Sequence, residues 1–319
     1  MRPPRWRLLA TALLVASSLA GCAAQDREPL RIVVPNPPGG GYDVTARVVA
    51  AALIDDGTAA RVTNLSGEEG LVAVTRIALE DGETNLLLQM GLGLVANAHT
   101  GGRSADLEAL TPIALVLTEP NALMVARDSP FESVEQLLTV LRSDPEAVVL
   151  GGGSFPGGPD HQAALAVADG LGLPLGRLSY QPHDGGGEML ASLVAGRIDV
   201  AVAGTAQHLS QIQAGELRVL AVTGAARVPG VDAPTLLEAG VDVQFENWRG
   251  LLAPGGLSEE QRDRLVELLE RARRTSTWQE AVARNGWSES WLTGDEFGEF
   301  LEQERIRVAA LLEAVGPVD

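Results

Sequence analysis

Cysteine is nearly absent from this 319-residue chain, with Cys22 the only one. A disulfide framework is therefore excluded, and the core alone must stabilise the fold; a chain of this length can do so because it buries roughly three-quarters of its surface. Lysine is missing altogether, so all 24 basic residues are arginine, and they face 42 acidic residues for a formal charge of −18. That balance excludes nucleic acid as a partner, because a phosphate backbone is met by a basic surface. Aromatic residues are only 4% of the chain, while 45% is hydrophobic, which fits a globular protein built from Ala, Val and Leu.

What is present begins with a targeting signal. Arg2, Arg5 and Arg7 precede an apolar stretch over 8–19 that ends in small residues and is short for a membrane span. It closes with Leu19-Ala-Gly-Cys22, which resembles the bacterial lipobox, where the cysteine is acylated and becomes the first mature residue. The expectation is a signal peptide over 1–21 and a lipid anchor and tether over 22–29. The protein would then be exported, and held on the outer face of the cytoplasmic membrane or in the periplasm.

Short apolar runs are predicted as strands at 31–35, 60–63, 85–89, 113–117, 122–126, 148–150, 178–181, 200–203 and 217–222. Helical stretches such as 43–54, 134–142, 160–171 and 188–195 alternate with them, so the fold class is α/β with parallel sheets covered on both faces. The C-terminal part is more helical, with capping-box starts at Ser258 and Thr293. The length suits two lobes. Strands near 117 and 222 would carry the chain across and back, giving one lobe of 30–117 plus 223–319 and a second of 118–222.

Three glycine-rich turns each join a strand to a helix. The first is Pro38-Gly-Gly-Gly-Tyr-Asp43, the second Gly151-Gly-Gly-Ser-Phe-Pro-Gly-Gly-Pro-Asp-His161, the third Tyr180-Gln-Pro-His-Asp-Gly-Gly-Gly-Glu188. Glycine permits positive φ and close approach of a ligand, and a helix start offers unpaired N–H donors that suit anions. Any one such turn is equally a tight connection, and none carries the phosphate-loop or dinucleotide fingerprint. Asp160 could serve as a cap and His161 as a packed or solvated side chain. Two opposed helix starts could together pinch two carboxylates.

In order along the chain come Val34-Pro-Asn-Pro-Pro-Gly-Gly-Gly-Tyr-Asp-Val-Thr-Ala-Arg47, Asp81-Gly-Glu-Thr-Asn-Leu-Leu87, Gly196-Arg-Ile-Asp199, Ala214-Gly-Glu-Leu-Arg-Val-Leu-Ala-Val222, Pro234-Thr-Leu-Leu-Glu-Ala-Gly240 and Trp248-Arg-Gly-Leu-Leu-Ala-Pro254. This series resembles the substrate-binding receptors of tripartite tricarboxylate transporters, the TctC/Bug family. The resemblance implies a two-lobed periplasmic-binding-protein fold, type II-like, with a carboxylate held in the cleft between lobes and no cofactor or metal. It implies ligand contacts at Pro38, Gly39, Gly40, Gly41, Tyr42 and Asp43 in the first loop, and at His183, Gly185, Gly186, Gly187 and Glu188 in the third. It implies further ligand contacts at Met90, Ser154, His161, Gly204, Thr205 and Trp248, although Trp248 also suits a core anchor and Arg249 an ion pair. The implied partners are the large and small membrane subunits of a transporter, served by a monomeric receptor.

The form His183-Asp-Gly-Gly-Gly-Glu188 with Asn247-Trp-Arg-Gly250 resembles the tricarboxylate-binding branch of the family, so the resemblance implies a tricarboxylate or dicarboxylate such as citrate. The stretch Asn64-Leu-Ser-Gly-Glu-Glu-Gly70 departs from the family pattern, and Glu68 and Glu69 there would disfavour a bulky polyanion. An enzyme would need a nucleophile with a positioned base, or clustered metal ligands; four histidines without metal-site spacing give neither. A ligand-sensing lipoprotein that signals through a membrane kinase is the other reading open to the sequence.

Overall fold

The computed structural model describes residues 28–315, so the predicted signal peptide and Cys22 lie outside the described residues. The chain opens with β1 (Leu30–Val34), β2 (Ala60–Asn64), β3 (Leu86–Gly91) and the long β4 (Thr111–Ala126). It continues through β5 (Leu150–Gly152), β6 (Tyr180–Pro182), β7 (Val200–Gly204) and β8 (Leu217–Val222), and ends with β9 (Glu246–Ala253) and β10 (Ser288–Thr293). Helices separate most of these strands and cover both faces, which is why β3 is buried along its whole length. In β2, by contrast, alternate residues are exposed, as befits the edge of the sheet.

Two lobes share one continuous strand. In the first lobe β2, β1 and β3 run parallel, and β9 lies antiparallel between β3 and the first half of β4, whose other neighbour is β10. In the second lobe the far half of β4 pairs antiparallel with β7 and β8, and β7, β5 and β6 run parallel. The sheets are therefore mixed rather than purely parallel, a correction to the predicted pattern. The predicted strands 113–117 and 122–126 are likewise one element of 16 residues.

The partner change falls at Pro120. Pro120 is the last residue paired with β9, opposite Glu246, and Asn121 is the first paired with β7, opposite Gly204. A proline has no N–H to give to a ladder, so it is tolerated where the strand leaves one sheet for another. The returning chain is tied to this crossing by Thr223. Its Oγ accepts from the Asn121 N–H at 2.9 Å and donates to the Phe245 carbonyl at 2.6 Å.

Candidate functional site

The helices after β1, β5 and β6 begin at Gly41, Pro159 and Gly186, and residues of all three starts line a single cleft of about 900 Å³. Ligands in open α/β sheets bind at this end, beyond the carboxyl ends of parallel strands. Gly39 and Gly185, one on each side of the cleft, share φ near +91°, a conformation that favours glycine. The second and third loops touch: a Cβ on Gly153 would fall 2.6 Å from the Gly186 nitrogen.

The first and third loops are built alike. Asp43 Oδ2 accepts from the Gly39 N–H at 2.9 Å, and Glu188 Oε2 accepts from the Asp184 N–H at 2.9 Å, each carboxylate reaching back four residues. These bonds fold the turn against its helix and leave the first-turn amides, Gly41 and Tyr42 on one side and Gly186 and Gly187 on the other, without intrahelical acceptors. Asp43 is buried, and burial raises its pKa, but bonds from Arg47, Gly39 and Asn64 outweigh this and hold it below the ordinary carboxylate range.

Of the residues singled out in the sequence, Pro38, Gly39, Gly40, Gly41 and Tyr42 line one side of the cleft, and Ser154, His183, Gly185, Gly186, Gly187 and Glu188 line the other. Six stand behind the wall. Asp43 is consumed as the brace just described. Met90 is fully enclosed in the core. His161 is buried, accepts from the Gly157 N–H through Nδ1 at 2.9 Å and stacks on Tyr180 with ring centroids 4.3 Å apart; burial lowers its pKa to about 4. Gly204 backs onto Glu119, and Thr205 is fully buried. Trp248 packs edge-on against Phe297 and Phe300 and donates from Nε1 to Glu304 at 2.7 Å, which makes it a core anchor.

The cleft floor holds residues to which the sequence reading gave little weight. Arg249 on β9 reaches it with a buried side chain whose guanidinium lies under the first helix start: a Cβ on Gly41 would fall 2.5 Å from Nη2. Its partners are long ones, Glu119 Oε2 and Thr45 Oγ, both at 3.4 Å. The Tyr42 phenol accepts from the Leu94 N–H, and burial pushes its pKa up to about 12. Asp160, Glu69, Asn97, His208 and Asn247 also line the cleft. The signal for Arg249 was present, because an arginine between Trp248 and the apolar run 250–253 is buried with them and needs a partner or a ligand. His208 had none.

Two lobes joined by crossing strands, with glycine-rich helix starts facing one cleft, define a solute-binding receptor of the periplasmic-binding-protein type. The model of the tripartite tricarboxylate transporter family receptor, TctC, matches residues 46–316. The chain belongs to that family of substrate-binding receptors. It is 27% identical over 303 residues to Protein BugT of Bordetella pertussis, covering 90% of this chain and 89% of that one. A TctC solute-binding protein from Polaromonas superposes with a TM-score of 0.73 at 26% identity, over 89% of this chain and 98% of that one. A protein of R. palustris with bound adipate does so with a TM-score of 0.77 at 25% identity, over 90% and 97%.

Proposed function

We propose that this protein is an exported receptor that closes on a small organic carboxylate and delivers it to the large and small membrane subunits of a tripartite tricarboxylate transporter. The observation that carries this reading is the convergence of two glycine-rich helix starts and the Arg249 guanidinium on one cleft. Hydrogen bonds to a charged group contribute about 1.5–3 kcal/mol each, and a helix start adds roughly 0.3–1. Four or five such bonds are enough to reach the about −8 kcal/mol of micromolar binding after ordering costs. The overall negative charge is screened beyond about 8 Å at physiological salt, so local donors decide.

The adipate carried by the R. palustris neighbour supports a dicarboxylate. Glu69 on the cleft wall supports it further, since a third carboxylate on the guest would meet a like charge there. The lobes in this reading are 30–117 with 223–319 and 118–222. They close about the β4 crossing and its Thr223 tie, bringing the first and third loops onto opposite ends of the guest. The receptor acts as a monomer, binds without turnover, and is anchored through Cys22.

A thermal-shift panel of adipate, malate, succinate, citrate, glutamate and nicotinate tests this. A guest at 100 times its dissociation constant adds about 2.7 kcal/mol of stability, and a dicarboxylate is expected to give the largest upward shift. A panel in which no carboxylate moves the melting temperature sinks the proposal.

A further inference from the structure

Three ionisable side chains meet at the cleft floor: Glu119 where β4 crosses between lobes, Arg249 on β9, and Asp160 in the first turn of the helix Pro159–Gly170. Glu119 and Arg249 are 1% and 3% exposed. A guanidinium has five N–H donors, yet Arg249 makes only the two long contacts given above, and its Nε is buried without a partner. Glu119 is held from the other side by the Ala206 N–H at 3.2 Å.

Asp160 accepts at both oxygens, from the Gly153 N–H at 2.9 Å and from Asn121 Nδ2 at 3.0 Å. Asn121 is fully buried, and its own Oδ1 has no partner. Turning that amide over would present Oδ1 to Asp160, the acceptor that a protonated carboxyl requires. The contact can therefore be made in both charge states.

Glu119 pairs with Arg249 and Asp160 lies within the field of both, so a guest carboxylate docked on Arg249 is a third acidic group beside one cation. In a closed cleft of low dielectric that excess is costly, and one added proton removes it. Resting on the receptor reading above, we propose that the guest is captured together with a proton: its carboxylate takes the free N–H edge of Arg249, and Asp160 gains a proton that it donates to the turned amide of Asn121.

The state of Asp160 agrees. Burial raises its pKa to about 7 against the opposing bonds from Gly153 and Asn121, and Glu119 raises it further. Burial also raises the Glu119 carboxyl, with the Arg249 guanidinium and the Ala206 N–H opposing it, so Asp160→Asn is the variant that tells the two carboxyls apart. Burial pushes the Tyr180 phenol up and keeps it protonated. His161, turned toward Gly157, and His208, beneath Gly186, are both held neutral by burial.

Calorimetric titration of malate and adipate in HEPES and in Tris, whose ionisation enthalpies differ, counts the protons taken up. Near pH 8 about one proton is expected per guest, falling toward zero near pH 6, and the dissociation constant should rise by up to about tenfold per pH unit above about pH 7. Asp160→Asn should bind without taking up a proton and with little pH dependence over that range. Arg249→Gln should weaken binding by about tenfold or more at both pH values. Wild-type binding without proton uptake overturns the proposal by itself, as does uptake that persists in Asp160→Asn. If no carboxylate binds at any pH, the receptor reading falls and takes this inference with it.

Discussion

Asparagine in place of Asp160 is expected to stabilise the ligand-free protein by an amount that depends on pH. The two side chains have the same shape, and the amide oxygen of asparagine can still accept from Gly153 while Asn121 turns to accept from its amide nitrogen. What the change removes is an ionisable group whose pKa is raised on folding from 3.8 to about 7, chiefly by burial. Below about pH 4 the carboxyl is protonated in both states and makes no difference. Between about pH 4 and 7 the unfolded chain releases the proton and the folded one retains it, so the wild type progressively loses stability, and above about pH 7 the loss is complete. At about 1.36 kcal/mol per pKa unit the full interval corresponds to roughly 4 kcal/mol. Urea unfolding of both proteins near pH 4.5 and near pH 8 measures it. The variant should be ahead by about 1 kcal/mol at the lower pH and by roughly 4 at the higher. A gap that does not grow with pH, or a variant less stable near pH 8, would refute the argument that this carboxylate is ionised against its environment.

Gly41→Ala should force the Arg249 guanidinium aside and weaken carboxylate binding about ten- to a hundredfold, the loss of one charge-assisted bond. Gly40→Ala, whose Cβ meets only the Pro37 carbonyl oxygen at 3.8 Å, should leave calorimetric affinity nearly unchanged. Arg249→Gln strands Glu119 in the interior and should cost about 3 kcal/mol in urea unfolding, most of it recovered by adding Glu119→Gln. Trp248→Ala should cost about 3–5 kcal/mol and yet bind carboxylates as the wild type does, because Trp248 faces Phe297 and Phe300 and not the cleft.

The parts of the molecule legible in the sequence are those whose determinants are local. The turns 36–41, 151–158 and 183–185 were found from glycine between an apolar run and a helix pattern, and the strand 217–222 from its apolar run alone, matching Leu217–Val222. The capping box at Ser258 is present as expected, with Gln261 reciprocating. Features set by long-range pairing were missed. β9 and β10 did not read as strands, and without β9 the first sheet looked parallel. Glu119-Pro120 resembled a break because nothing local shows that β4 exchanges one set of neighbours for another at that point. The site divided the same way: backbone donors on the loops were legible, whereas Asp43, His161 and Trp248 were assigned to ligand contact when each is tied to a structural partner. Asp160 and Arg249, which reach the floor from opposite lobes, become neighbours of Glu119 only after β4 and β9 have paired.

The position of β9 also bears on the order in which the protein can be assembled. Residues 246–253 fill the gap between β3 and the first half of β4, and those two strands have no pairing with each other to hold that gap open. The second lobe is one uninterrupted stretch of chain and can form as soon as it emerges, whereas the first sheet must wait for a segment made more than a hundred residues after β4 begins. A chain halted before residue 246 would therefore carry the strands of the second lobe beside a first sheet in which β3 is bare on one edge and the first half of β4 on both, because β10 is missing as well, the species to guard against when the protein is truncated or refolded at high concentration.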